Sequence, residues 1–203
     1  MDIYTDYANW KFENYDFIHH LVERKSATIS RFSSVLVVVD YLYERYLKRK
    51  SATNEEKIFF ETGFDYIHDA FYTIKTLYDY NFNQDYDQLE QCAKTINLLL
   101  YIHEFQSELG NSSASKQDIE KLNEFEEKVS SYLDKKENVP DAFFPMLDDL
   151  TTTIFEKEDK SFHSIESIFY EVALEYGLYK EDEIDIYNSV FQFQKEHHGN
   201  QTR

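Results

Sequence analysis

Very little in this chain can bend or crosslink its backbone. Its 203 residues include four glycines, two prolines and one cysteine. Four scattered glycines cannot build the Gly-rich loops that cradle phosphates, and no G-x-S-x-G nucleophile elbow occurs. A lone cysteine forms no internal disulfide, and Cys92, beside Ala93 and Ile96, reads as a packed thiol in a reducing compartment. Long apolar runs are missing too: the longest strongly apolar one, Val35 to Val39, is far too short to span a bilayer. The opening MDIYTDYANWKFENYDF is acidic where a signal peptide is basic and then apolar. The expectation is a soluble, cytoplasmic protein without a membrane segment.

Positive charge is also scarce. Lys and Arg number 21 against 39 Asp and Glu, a formal net charge of −18. A polyanion is repelled by such a surface unless the few bases cluster, so direct nucleic-acid binding is not expected. The one dense basic cluster, Arg45 with Lys48-Arg49-Lys50, falls at the end of a predicted helix, where cations complement the macrodipole. What the chain has in plenty is aromatic residues, 17 Tyr and 17 Phe, within a 42% hydrophobic content. That separates it from disordered acidic chains, which lack aromatics.

Apolar residues recur with helical spacing almost throughout. Tyr7, Trp10, Phe17, Ile18, Leu21 and Val22 mark a helix from Asp2 to about Lys25. A second runs from Thr28 to Lys50. A capping box, Thr53-Asn-Glu-Glu56, opens the third, whose stripe Phe60, Phe64, Ile67, Phe71, Ile74 and Tyr78 is the cleanest in the chain. Beside it Gly63 and Ala70 lie one heptad apart, which suits close approach of another helix. A fourth helix spans Asp85 to Leu109, stopped by Gly110. After the linker Gly110–Lys116, shorter helices are predicted over 116–135, 140–155, 162–176 (stopped by Gly177) and 182–197. The expected architecture is all-α: an up-and-down bundle of four long helices with about four shorter ones packed on it. The expected organisation is a long-helix bundle over 1–110 and a more acidic helical region over 111–203, packed as one unit. The segment Ser34–Val39, rich in β-branched residues, would suit a strand. No partner strand is evident, so it is read as helix.

An echo, Arg-Lys-Ser-Ala-Thr at 24–28 and 49–53, reads as ordinary turn chemistry, with basic residues closing one helix and Ser or Thr capping the next. The sharpest chemical motif is a pair of Asp-x-x-His turns, Asp16/His19 and Asp65/His68. Each places a carboxylate and an imidazole one helical turn apart, as in the Glu-x-x-His elements of di-iron bundles. Asp is shorter than Glu, and the matching levels of the neighbouring helices carry no carboxylate. A metal-binding bundle enzyme is therefore the alternative reading. Other catalytic signals are absent: Cys92 has no local His, the Arg-x4–6-His signature of helical HEPN ribonucleases is missing, and Glu124-Glu126-Glu127 reads as a solvated face.

The leading expectation is a non-enzymatic binding protein without a cofactor. An acidic, aromatic-rich helical surface suits a basic protein partner, such as a nucleic-acid-handling enzyme. Inhibitors and immunity proteins of bacterial or phage type work in this way, by steric and electrostatic occlusion. Aromatics flanked by acids are the candidate contacts: Tyr132, Phe143, Phe144 and Tyr179, with Asp148, Asp149, Glu181, Asp182, Glu183 and Asp185. A structural or homo-oligomeric subunit is a third reading.

Overall fold

The computed structural model describes residues 2–23, 29–109, 115–156 and 163–178. Helix covers 84% of them, and no strand occurs among them. The elements are α1 (Ile3–Glu13), α2 (Tyr15–Glu23), α3 (Ser30–Arg49), α4 (Asn54–Thr76), a π-helical turn (Leu77–Asn81), α5 (Tyr86–Gln91), α6 (Ala93–Leu109), α7 (Lys116–Asp134), α8 (Phe143–Glu156) and α9 (Ile165–Glu175). The all-α class is established. The chain divides into two compact units, Met1–Thr73 with Ile165–Arg203, and Ile74–Ser164, with the boundary inside α4. The expected helix over 182–197, the linker after Gly110 and the first copy of the Arg-Lys-Ser-Ala-Thr echo lie outside the described residues.

In the first unit the α3–α4 junction forms as its local sequence dictates. Lys50, left-handed at φ 55°, ends α3 and returns its N–H to the Tyr46 carbonyl at 2.7 Å. The capping box then closes reciprocally. Thr53 N donates to Glu56 Oε2 at 3.0 Å, and Glu56 N donates to Thr53 Oγ1 at 3.1 Å. The basic cluster is engaged at the same place: Arg45 meets Glu56 Oε1 at 2.7 Å and Arg49 at 3.3 Å. The Arg45 guanidinium lies over the rings of Tyr41 and Tyr176, 5.3 Å from each centroid.

Burial alone would raise the Glu56 carboxyl. The Thr53 N–H, the Arg45 hydrogen bond and the two guanidinium charges outweigh it and hold the carboxyl below its usual value. Because the folded value is depressed, this contribution is present above the unfolded value of about 4.3. It is lost as pH falls through the folded value. Melting curves of wild type and Glu56→Gln between about pH 2.5 and 6 test this. The wild type should lose more stability on acidification than the variant, and parallel pH profiles would sink the assignment.

Aromatic rings join α1 and α2 to α4. Tyr4 meets Phe60 at 4.4 Å between centroids, Tyr7 meets Phe64 at 5.2 Å, Trp10 meets Phe71 at 5.3 Å and Phe17 meets Phe71 at 5.6 Å. Rising numbers pair with rising numbers, so α1 and α4 run parallel. The predicted single first helix is broken at Asn14, with neither Gly nor Pro. The Asn14 side-chain amide donates to the Trp10 carbonyl at 2.8 Å, alongside the Asn14 backbone N–H at 3.1 Å.

The β-branched segment is helical and lies in the first half of α3, where every residue from Arg31 to Asp40 is buried. A helix buried on all sides needs no polar face, which is why Val35–Val39 lacks helical alternation. Its charged ends are paired. Arg31 Nη1 reaches Glu166 Oε2 of α9 at 3.1 Å, and Asp40 accepts from the Tyr7 hydroxyl and the Lys11 ammonium of α1.

In the second unit α6 and α7 run antiparallel, and the Phe105 ring meets Phe155 of α8 at 5.2 Å. The predicted fourth helix is interrupted at Cys92, which frees the first amides of α6. Asn138 Oδ1 accepts from Lys94 N at 2.8 Å, while Thr95 Oγ1 donates to the Glu137 carbonyl at 2.8 Å and accepts from Val139 N at 3.0 Å. The segment after α7 thus caps α6 from a distance. Among the described residues no helix is long and apolar enough to cross a membrane.

Candidate functional site

The paired Asp-x-x-His turns do not form a shared site. On α2, the His19 ring stacks on Tyr15 at 5.4 Å, and His20 Nδ1 lies 3.3 Å from the Asp16 carbonyl oxygen. On α4, His68 Nδ1 lies 3.6 Å from Asp69, not Asp65. Its ring packs on Tyr72 at 4.8 Å, Phe64 at 5.9 Å and Trp10 at 6.3 Å. Among the described residues no three His, Cys, Asp or Glu side chains gather to hold a metal ion. Cys92 is fully buried, and burial pushes its thiol up to about 11 despite the opposing charge of Lys136, so it offers no thiolate at neutral pH.

Sequence reasoning missed one oxygen-rich register. Asp79, Asn81, Asn83, Asp85, Asp87 and Glu90 follow the donor spacing of a helix–loop–helix calcium loop. The sixth position of such loops, normally glycine, is Gln84 at φ 62°. The leading donors are otherwise engaged. Asp79 pairs with Lys75 and accepts from Gln84 Nε2 at 3.3 Å. Asp85 caps α5, accepting from Asp87 N at 2.9 Å and Gln88 N at 3.3 Å. In this conformation the segment is a capping turn.

Five of the candidate contacts lie on α7 and α8. Phe143, half-buried, makes edge contact with Tyr132 at 5.5 Å and packs on Phe125 at 5.6 Å. Lys135 lies 5.4 Å from the Tyr132 ring centroid. Phe144 is half-buried, while Asp148 and Asp149 are exposed. Helical geometry sets Phe144 and Asp148 one turn apart on a common side of α8. Two exposed neighbours escaped sequence reasoning: Pro145, and Met146 at 50% exposed. The signal was available, since Leu147, Thr151 and Ile154 define the buried side of α8 and leave 145, 146, 148 and 149 outside. Tyr179, Glu181, Asp182, Glu183 and Asp185 lie outside the described residues.

A shallow groove of about 550 Å³ on α7 is bordered by Asn123, Glu126, Glu127, Ser130, Ser131 and Asp134. Glu126 accepts from Gln106 Nε2 at 2.6 Å and lies 3.5 Å from His103 Nε2. These described borders include neither a cation nor a cysteine. Comparison of the chain with protein-family models, with characterised proteins and with solved structures gave no match.

Proposed function

We propose that this chain is a non-enzymatic binding protein that antagonises a basic partner, of the kind that handles nucleic acid, by covering its cationic surface. The observation that carries this reading is the outward face of α8. Exposed Pro145 and Met146 lie on the solvent side of α8 with exposed Asp148 and Asp149, and the neighbouring Phe143 ring is fixed against Tyr132 and Phe125. Apolar residues flanked by carboxylates, on a helix anchored by aromatic packing, suit a partner contributing Lys or Arg around an apolar contact. The net charge of −18 adds long-range attraction that accelerates encounter with such a partner.

The test compares wild type with Asp148→Lys/Asp149→Lys in capture of basic proteins from lysate, across about 0.05 to 0.5 M salt. The reading expects a basic protein retained at low salt, released as salt rises, and lost from the charge-reversed variant. Retention indifferent to both salt and charge reversal would overturn it.

A further inference from the structure

The outward face of α4 in the first unit carries charges that work against its own helix. Glu61, Asp65 and Asp69 follow one another at four-residue intervals, so two successive like-charge pairs face each other along one column. Relief is slight among the described residues. Lys57 reaches Glu61 at 3.6 Å, His68 lies 3.6 Å from Asp69, and Asp65 has no ion pair. The column is flanked by Ile58, 63% exposed, and by Tyr72, 50% exposed and in edge contact with His68. Ile58, Asp65 and Tyr72 are seven residues apart in turn, so they share one side of α4 over about 21 Å.

We infer that this face is a docking surface for a basic amphipathic helix. The sign of the charge excludes nucleic acid and anionic membrane. The geometry favours a helix over a compact cation, since carboxylates repeat about every 6 Å along the axis. Lys or Arg one turn apart on a partner helix repeats at the same interval. Ile58 and Tyr72 would take apolar side chains near the two ends of that helix, and a cationic group over the exposed Tyr72 face would gain a further attraction. The inference concerns the first unit and stands independently of what α8 binds.

The probe is a synthetic Lys/Leu amphipathic helix of about 18 residues, titrated into the isotope-labelled full chain while backbone amide shifts are followed. A peptide of the same composition in scrambled order is the control. The expected result is saturable one-to-one binding with the largest shifts at Ile58, Asp65, Asp69 and Tyr72. Asp65→Lys/Asp69→Lys should weaken it by about tenfold or more, Ile58→Ser should weaken it without altering the circular dichroism spectrum, and the scrambled peptide should bind at least about tenfold more weakly. Asp148→Lys/Asp149→Lys should leave affinity within about twofold. Shifts spread evenly over every acidic face, or equal losses from both charge reversals, would overturn the inference. Shifts confined to α8 would overturn it while supporting the α8 reading.

Discussion

Replacing Asp40 with Ala should destabilise the first unit by about 3 to 5 kcal/mol, the range for removing one partner of a buried ion pair. Asp40 is 4% exposed and sits where α1 meets α3, accepting from Tyr7 and Lys11. Tyr7 is fully buried. Burial, followed by the Asp40 charge and hydrogen bond, holds its phenol protonated well above the ordinary range, so it remains a donor needing an acceptor. The Lys11 side chain is 18% exposed, which allows its ammonium to turn partly toward water and argues for the lower end of the range. For a chain of this size, a loss of about 3 kcal/mol lowers the melting temperature by roughly 6 to 12 °C. The apolar double variant Lys11→Met/Asp40→Leu should recover part of that loss, because it removes both charges together. Thermal melts of the single and double variants settle the point. A loss below about 1 kcal/mol for Asp40→Ala would mean that water already reaches the pair.

How far the sequence foretold this fold depends on how local each interaction is. The Thr53–Glu56 box and the cationic end of α3 were legible because all their parts lie within about a dozen residues. The stripe on α4 was legible for the same reason, and its members Phe60, Ile67, Phe71 and Ile74 are essentially fully buried. The interruptions at Asn14 and Cys92 were not. At Asn14 a side chain common in turns and helices alike happens to return to its own backbone. At Cys92 the freed amide of Lys94 is answered by Asn138, 44 residues away, and no spacing rule reaches that far. The pairing of α9 with α3 through Arg31 and Glu166 spans 135 residues and is equally silent in sequence.

The candidate surface shows the same division. Helical periodicity is enough to set Phe144 and Asp148 on one side of α8. The anchoring of α8 on α7 depends on Phe143 meeting Tyr132 and Phe125. Periodicity within either helix says nothing about that contact. The Asp-x-x-His turns illustrate the converse: their spacing suggested ligation, but the His68 imidazole is taken up by aromatic neighbours instead.

Gly63 gives the second large effect, and its sign runs against helix propensity. In an exposed helix interior, Gly→Ala stabilises by about 1 kcal/mol. At Gly63 an added Cβ would lie 2.5 Å from Val39 Cγ2 of α3, and 2.7 and 2.9 Å from two ring carbons of Phe169 of α9. Those neighbours cannot yield easily, since Val39 is 0% and Phe169 1% exposed. Overpacking a buried site costs about 1 to 3 kcal/mol and sometimes more. Gly63→Ala should therefore lower stability despite the propensity gain, and Gly63→Leu should lower it by about 3 kcal/mol or more. The origin of the effect can be separated from a generic helix defect by a double-mutant cycle with Phe169→Ala. Truncating Phe169 alone should cost about 3 to 5 kcal/mol, while the pair Gly63→Leu/Phe169→Ala should cost less than the sum, because the new side chain occupies the vacated volume. Strict additivity in denaturant melts, or a stabilised Gly63→Ala, would show that α3 and α9 do not close on α4 at this residue.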